Sequence, residues 1–297
     1  VLSNLFCFFV IALLLHGSEC FSPSGLLLRR PVHTAKYQAP MSSALTEPAR
    51  PTPTIPVGGV PRLYVYDHCP FSARVRFILG AKNIKHNLVF FANDDVDSPT
   101  KLVGKKVVPI LEMNGEFILE SMDIVKRIDN DPAFGPAILR PATGRTDIAD
   151  WFKRHQEIWS LLPWPRYVST GLLPEFSQQA GRDAFVWSHP LPPAVKEEWQ
   201  DPALTDRAAR YAKYAEAVAR TAELLPQANA ALKELEGLIA GPDHCTEGGL
   251  SYDDVDLFGR LRCLTIVRGL EFPPKAAAYL SARSAQADVP LYFPLAH

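Results

Sequence analysis

Between residues 61 and 130 the spacing of apolar residues changes repeatedly between the period of a strand and the period of a helix. Residues 62–66 form a short run of β-favouring residues, and residues 85–91 form a second one. Between them, Pro70 suits a first helical position, the following apolar residues keep helical spacing, and Gly80 weakens the end of the stretch. The pattern therefore predicts a strand, a helix and a second strand.

A hairpin follows the second strand. Asn114 and Gly115 both tolerate positive φ and predict a two-residue turn between two strands. The further elements are a short helix at 98–103, strands at 107–113 and 116–119, and a helix at 121–130. The order β-α-β-α-β-β-α predicts a thioredoxin-like α/β domain, in which helices cover both faces of a mixed four-stranded sheet.

Beyond Pro132 helical spacing replaces the strand pattern, which predicts an all-α second domain. Ser251 and Asp254 have the spacing of a capping box, and Asp201-Pro202 is a start signal for another helix. Residues 161–193 are too rich in proline and aromatic residues for one long helix, and such a segment can wall a cleft between domains. The predicted helices cover residues 145–162, 201–225, 226–239, 252–269 and 274–285.

The composition of the 297-residue chain allows two buried cores, because 47% of the residues are hydrophobic. The formal net charge is −1, and no basic cluster lies beside aromatic residues, so the sequence predicts no nucleic-acid partner. After the N-terminal leader no apolar stretch is long enough to span a bilayer, so no membrane contact is expected of the mature protein. A small-molecule or protein-thiol substrate is favoured.

The leader has two parts. Residues 5–15 form an unbroken apolar run that is typical of a signal-peptide core, with cleavage expected before Phe21. Residues 21–46 contain no acidic residue and have the basic, hydroxylated composition of a transit peptide, and a Pro-, Thr- and Gly-rich linker follows. This order resembles the bipartite plastid presequences of algae whose plastids arose by secondary uptake. We therefore predict plastid import; secretion, or a disordered N-terminus around a chance apolar run, is the alternative.

These observations divide the chain into five predicted segments. They are a signal peptide at 1–20, a transit-like segment and linker at 21–60, a thioredoxin-like domain at 61–134, an interdomain linker at 135–145 and an all-helical domain at 146–297.

The strongest chemical signal is a cysteine at a strand-to-helix junction. Cys69 directly precedes Pro70, so its sulfur is expected to face unpaired backbone N–H groups and the positive end of a helix dipole. His68, Arg74 and Arg76 can add positive potential. We therefore expect a nucleophilic Cys69 with a pKa below the ordinary value; the alternative is a partly buried, inert cysteine.

The motif Cys69-Pro70-Phe71-Ser72 has only one thiol. A dithiol reductant carries a second cysteine at the position of Ser72, whereas a serine can only donate a hydrogen bond to the thiolate. The sequence therefore predicts a monothiol route. Cys263 lies in an apolar helical stretch that favours burial, and nothing in the sequence ties Cys245 to Cys69.

The remaining cysteines predict neither a disulfide scaffold nor a metal site. Two of the five, Cys7 and Cys20, lie in the leader, and the other three are scattered without a Cys-x-x-Cys pair or zinc spacing. A metal cluster shared by two copies of Cys69 is disfavoured because Pro70 stiffens the turn beside the sulfur. No metal is predicted.

Two further positions suit a small peptide. A cis bond between Val108 and Pro109 would turn the Val108 backbone into a pairing edge for an extended peptide, although an ordinary trans proline is the default. Glu120 and Ser121, at the head of a helix, can hold an ammonium group and a carboxylate, which together form the zwitterionic end of a γ-glutamyl peptide. Plain helix capping is the alternative for Ser121.

Several segments resemble the bacterial glutaredoxin 2 family, the large two-domain glutaredoxins with the fold of glutathione S-transferases. They are residues 64–71, 93–95, 102–111, 120–125 and 250–258, and the resemblance covers both predicted domains. It implies a glutathione S-transferase-like architecture, a thioredoxin-like domain that binds glutathione as co-substrate, and reduction of glutathionylated proteins or small disulfides.

The resemblance also implies roles for residues. Cys69 is the nucleophile, supported by its neighbours in the motif and by His68 and Arg74, and glutathione is held by the Val108 backbone beside a cis Pro109. Glutathione also contacts Glu120 and Ser121, and Lys106 matches a lysine of the family that is expected to meet the glycine carboxylate.

Ser72 departs from the family, which usually has a second cysteine there. The motif also resembles the active site of dehydroascorbate reductases, so dehydroascorbate is an alternative substrate. Glutathione-dependent thiol–disulfide exchange is our leading prediction, a dehydroascorbate reductase or transferase of the same fold comes second, and a non-catalytic binding module comes third.

Overall fold

The computed structural model describes residues 51–56, 58–201 and 206–297. The predicted signal peptide and most of the predicted transit-like segment lie outside the described residues. The predicted limits of the domains stay predictions.

The first elements form a mixed four-stranded sheet. Its strands are β1 (Arg62–Val65), β2 (Asn87–Phe90), β3 (Ile110–Met113) and β4 (Glu116–Ile118). Their order across the sheet is β2-β1-β3-β4; β1 is parallel to β2, and β3 is antiparallel to β1 and β4. The three helices of this part are α1 (Pro70–Ala81), α2 (Asp97–Val103) and α3 (Ser121–Asn130). This arrangement confirms the thioredoxin-like prediction.

Local signals explain several element boundaries. The hairpin turn has φ of 55° at Asn114 and 80° at Gly115, as the Asn-Gly pair predicts. The third strand is shorter than predicted, because it begins at Ile110 and excludes residues 107–109. Pro109 has no N–H to donate to a strand ladder, which accounts for the later start.

The described residues after Asn130 form nine helices and three short 3-10 turns, in agreement with the predicted all-α part. The helices are α4 (Asp147–Arg154), α5 (Gln156–Leu161), α6 (Pro163–Ser169), α7 (Gln179–Ser188), α8 (Lys196–Gln200), α9 (Arg207–Ala219), α10 (Thr221–Leu238), α11 (Tyr252–Leu264) and α12 (Pro274–Ala287). The capping box at the start of α11 is confirmed, because the Ser251 N–H donates to Asp254 Oδ2 over 2.8 Å.

Three helix predictions were wrong. The single helix predicted for residues 145–162 is two helices, with non-helical backbone at His155. The break predicted at Pro226 falls at Arg220 instead, and Pro226 lies inside α10. The predicted start at Asp201 is also displaced: α9 follows Asp206, whose carboxylate accepts a hydrogen bond from Ala209 N over 2.7 Å.

The helix that follows Cys69 is buried on nearly all sides. α1 packs on α3 and also on α11 and α12 of the helical part, and nine of its twelve residues are buried. The Phe77 ring of α1 lies 5.5 Å from the Phe258 ring of α11. Two glycines permit the close approach: Gly80 faces the Ala287 carbonyl of α12, and Gly259 of α11 faces the Pro70 carbonyl. The start of α1 is therefore fixed from both halves of the described chain.

Replacing Gly259 with alanine is expected to lower the free energy of unfolding by about 1–3 kcal/mol. The added Cβ would lie 2.6 Å from the Pro70 carbonyl oxygen, a backbone atom that cannot turn away. Denaturant unfolding of the variant measures the loss. Gly237→Ala in α10 is the matched control, because a Cβ there meets nothing within 4 Å and alanine favours a helix. Equal unfolding midpoints for the two variants would contradict the packing argument.

Candidate active site

A cavity of about 670 Å³ lies between the start of α1 and the helical part. Cys69 and Val108 line it on the thioredoxin-like side, together with Asn93. Aromatic side chains from residues 161–193 line the opposite side, as the sequence suggested for this segment: Trp164, Tyr167 and Phe185. The enclosure fits a peptide-sized ligand with one end beside the Cys69 sulfur.

Cys69 occupies the N-cap position of α1 and is 8% exposed. Burial raises the pKa of the Cys69 thiol, since a thiolate there loses its hydration. Hydrogen bonds from the Ser72 N–H, the Ser72 hydroxyl and the Phe71 N–H act in the opposite direction and lower the pKa, but burial is the larger effect. The expectation of a Cys69 pKa below the ordinary value was therefore wrong.

The three side chains that were expected to add positive potential each lie beside a carboxylate. His68 Nδ1 lies 2.6 Å from Oε1 of the fully buried Glu175, and the backbone N–H of His68 donates to the same oxygen. Arg74 pairs with Asp256, and Arg76 pairs with Asp67. Because a carboxylate lies next to each of them, these side chains give the sulfur little net positive potential.

The remaining neighbours of Cys69 differ in exposure. Pro70 lines the cavity, and the Phe71 side chain is exposed, with the Arg74 guanidinium 4.6 Å from its ring centroid. Ser72 is fully buried, and among the described residues its hydroxyl has no hydrogen-bond partner of ordinary geometry. That hydroxyl is therefore available to the Cys69 thiolate.

Ser72→Ala is expected to slow alkylation of Cys69 at neutral pH by about tenfold, because a hydrogen bond to an ionised group contributes about 1.5 kcal/mol or more. The loss of the hydroxyl removes one of the groups that lower the pKa of the Cys69 thiol. Iodoacetamide modification as a function of pH measures the change. Ser160→Ala is the control, since the Ser160 hydroxyl also lies in a buried residue but donates to Gln156 O of its own helix. An unchanged pH profile for Ser72→Ala would exclude this role.

Val108 offers an unpaired backbone edge to the cavity. The Val108–Pro109 peptide bond is cis, as the family resemblance implied, and not trans, which is the default for the residues alone. β3 begins two residues later, and within the described residues no backbone hydrogen bond involves Val108. An extended peptide beside Cys69 can therefore pair with the Val108 N–H and C=O.

Glu120 and Ser121 lie at the start of α3. Glu120 is exposed, with φ of 59°, and no side chain caps this helix, so Ser121 does not have the capping role weighed as its alternative. The Ser121 hydroxyl instead accepts a hydrogen bond from Arg74 Nη1 over 3.1 Å. Arg74 thus links the start of α3 to Asp256 of α11, and a carboxylate at this end of α3 would be attracted by the first N–H groups of the helix.

Lys106 lies near the cavity. Its ammonium group donates a hydrogen bond to the carbonyl of Asn93, which lines the cavity. Burial lowers the pKa of Lys106, and the nearby Asp94 and Asp95 carboxylates partly oppose this effect. Six of the predicted site residues do not line the cavity itself: Ser72, Arg74, Lys106, Pro109, Glu120 and Ser121.

Sequence reasoning missed two residues of the site. Glu175 lies in a proline-rich turn 107 residues from His68, and no local pattern marks it. Cys263 was expected to be buried among apolar residues, yet it is partly exposed and lines the same cavity as Cys69. Its sulfur lies 3.2 Å from the His68 carbonyl oxygen.

Among residues 51–56, 58–201 and 206–297, no group of three or more His, Cys, Asp or Glu side chains has an arrangement that could hold a metal ion. Within the same ranges, no helix combines the length and apolarity that a membrane crossing requires.

The fold and the cavity define the class of the protein. A thioredoxin-like domain with a cysteine at the start of its first helix, followed by a helical part that encloses this cysteine, is typical of thiol–disulfide oxidoreductases of glutathione S-transferase-like architecture. Two family models agree with this class. Residues 63–136 match the N-terminal domain of glutathione S-transferases, and residues 205–296 match the C-terminal domain of glutaredoxin 2.

Glutaredoxin 2 of Escherichia coli strain K12 is 34% identical over 233 residues, which cover 77% of this chain and 97% of the relative. The crystal structure of glutaredoxin 2 from Salmonella typhimurium in complex with glutathione superposes with a TM-score of 0.67, at 31% identity, over 80% of this chain and 99% of that one. The chain belongs to the glutaredoxin 2 family and is a glutathione-dependent thiol–disulfide oxidoreductase.

Sequence similarity to a plant transferase covers less of the chain. Glutathione S-transferase L3 of Arabidopsis thaliana is 34% identical over 76 residues, which cover 24% of this chain and 32% of the relative. The glutaredoxin prediction therefore fits better than the transferase alternative.

Proposed function

We propose that the protein reduces glutathione mixed disulfides by a monothiol route through Cys69. The observation that carries this proposal is that Cys69 lines one cavity together with Val108, whose backbone has no hydrogen bond among the described residues. A peptide paired with Val108 would have its own cysteine beside Cys69. The complex of the Salmonella relative with glutathione supports glutathione as that peptide.

The arrangement around Val108 suggests how each end of glutathione is held. The carboxylate of the γ-glutamyl end is held by the N-terminus of α3, the Ser121 hydroxyl and Arg74, and its ammonium group pairs with Glu120. The glycine carboxylate is held by Lys106. These charges fit a zwitterion at one end and an anion at the other.

The reaction has two exchange steps. The Cys69 thiolate attacks the glutathione sulfur of a mixed disulfide, a bond forms between these sulfurs, and the substrate leaves as a thiolate that takes up a proton. The thiolate of a second glutathione then attacks the glutathione sulfur on Cys69. This step releases glutathione disulfide and restores the Cys69 thiolate, which the Ser72 hydroxyl and the N–H groups of Phe71 and Ser72 stabilise.

The substrate profile and the pH dependence test this proposal. The full chain is assayed with glutathione and either a glutathionylated peptide or dehydroascorbate, and we expect a higher kcat/KM for the peptide. Because burial raises the pKa of the Cys69 thiol, the thiolate fraction grows with pH, and kcat/KM should rise between about pH 6 and about pH 9. A higher kcat/KM for dehydroascorbate would favour the alternative substrate, and absence of turnover with both would favour a binding module.

We also propose import into a plastid through residues 1–60. The apolar run, Phe21 and the acid-poor stretch after it support this localisation, and all of them lie outside the described residues. A fluorescent protein fused behind residues 1–60 should enter the plastid of an alga with a secondary plastid. Secretion of the fusion would support the alternative and overturn plastid import.

A further inference from the structure

Helix α11 contacts the chain on both sides of Cys69. Gly259 approaches the carbonyl of Pro70, the residue after Cys69. One helical turn later, Cys263 Sγ lies 3.2 Å from the carbonyl oxygen of His68, the residue before Cys69. Residues four apart lie on one face of a helix, so this face of α11 brackets the reactive cysteine.

Cys263 also lines the cavity that Cys69 lines. Cys263 is partly exposed, and both cysteines line the one cavity. A negative charge on Cys69 raises the pKa of Cys263, which is the effect of a like charge close by. Cys245, in contrast, is fully buried behind the start of α11, with its N–H bonded to Asp254, and it does not line the cavity.

We propose that Cys263 is a resolving thiol for Cys69, which gives the enzyme a dithiol route although position 72 is a serine. This inference rests on the proposed function, because it begins from the mixed disulfide between Cys69 and glutathione. It adds a second catalytic residue, supplied by the helical part of the chain.

The resolving step requires only the mixed disulfide on Cys69 and the Cys263 thiol. The Cys263 thiol loses its proton to solvent, and its thiolate attacks the Cys69 sulfur of the mixed disulfide. The bond between Cys69 and glutathione breaks, a Cys69–Cys263 disulfide forms, and glutathione leaves as a thiolate that is then protonated. Two molecules of glutathione reduce the intramolecular disulfide in turn and are released as glutathione disulfide.

The surroundings of the Cys263 sulfur determine the conditions under which the route through Cys263 operates. Cys263 Sγ lies 3.2 Å from the His68 carbonyl and 3.3 Å from the Gly259 carbonyl, both of which accept from a thiol and repel a thiolate. Burial is the largest effect and raises the pKa of Cys263 to about 12. Few molecules carry the Cys263 thiolate at neutral pH, so glutathione competes well when it is abundant. The route through Cys263 therefore dominates when glutathione is scarce or the pH is high.

In the test, the reduced full chain is mixed with a single equivalent of glutathione disulfide at alkaline pH. Rapid alkylation stops the reaction at successive times by blocking the free thiols. Peptide mapping by mass spectrometry without reduction then identifies the disulfides that have formed. In the wild type, the glutathione adduct on Cys69 should appear first and then be lost as the Cys69–Cys263 linked peptide forms. The rate of this second step should not depend on protein concentration. Cys263→Ser should retain the adduct, and the matched control Cys245→Ser should behave as the wild type.

The outcomes separate the two proposals. An adduct on Cys69 that is equally stable in the wild type and in Cys263→Ser overturns the resolving role and leaves the proposed function in place. Absence of any glutathione adduct on Cys69 in Cys263→Ser overturns both the resolving role of Cys263 and the proposed function. A further readout is the reduction of a peptide disulfide by the reduced enzyme without glutathione, which the wild type should perform and Cys263→Ser should not.

Discussion

Replacement of Cys69 by serine should reduce glutathione-dependent turnover by on the order of 10³-fold or more, because a hydroxyl cannot replace a thiolate in disulfide exchange. The substitution only replaces the sulfur atom at the N-cap of α1 with oxygen, and serine is a favourable N-cap residue. We therefore expect an unchanged circular dichroism spectrum and an unchanged unfolding midpoint. Steady-state assays with a glutathionylated peptide measure the loss.

Cys245→Ser is the control for the loss of any buried thiol. Cys245 does not line the cavity, so turnover should stay near that of the wild type even if some stability is lost. Substantial residual turnover in Cys69→Ser would show that another group performs the chemistry.

Arg262→Ala should lower the free energy of unfolding by about 3–5 kcal/mol, because it leaves a buried carboxylate without its main partner. The Arg262 side chain is 1% exposed and donates to both carboxylate oxygens of Asp67, over 3.1 and 3.2 Å. It also bonds the Asp67 carbonyl, the Tyr292 hydroxyl and the Pro290 carbonyl. Denaturant unfolding measures the effect. Arg154→Ala is the control, since the Arg154–Glu234 pair is exposed and should contribute at most about 1 kcal/mol.

The same ion pair predicts how stability depends on pH. Burial alone would raise the pKa of Asp67, but Arg262 and Arg76 outweigh it, and the net pKa of this carboxyl is lowered. A carboxyl whose pKa is lower in the folded state than in the unfolded chain contributes its full stabilisation at pH values above the unfolded-state pKa of about 3.9. This contribution is lost as the pH falls through the folded-state pKa. The difference in unfolding free energy between the wild type and Asp67→Asn should therefore be largest near neutral pH and shrink in acid. A difference that grows in acid would contradict the assigned pairing.

The parts of the fold that could be predicted from sequence are those with a local cause. The proline at the first position of α1, the Asn-Gly turn and the capping box of Ser251 and Asp254 each act over a few residues, and each is present. The break expected at Pro226 was wrong because the buried side chains on both sides of it, Leu224 and Ala228, continue one packed face of α10 through the proline.

The electrostatics of the site depend on distant residues. His68 meets a carboxylate 107 positions away, and Arg74 meets one 182 positions away. Periodicity along the chain contains no information on such pairs, so the sequence could not reveal the carboxylates beside these side chains. The expectation of a positive potential at Cys69 was wrong for this reason. The position of Cys263 in the cavity depends in the same way on how α11 packs against α1.

The burial of α1 also limits how this protein can diverge. A helix with one solvent-facing side can accumulate substitutions there at little cost, but nine of the twelve residues of α1 are enclosed by other elements. Changes in this helix must therefore be matched by changes in three other stretches of the chain, α3, α11 and α12. Among random single substitutions, those that survive selection for function should be rarest in the helix that carries the reactive sulfur at its head.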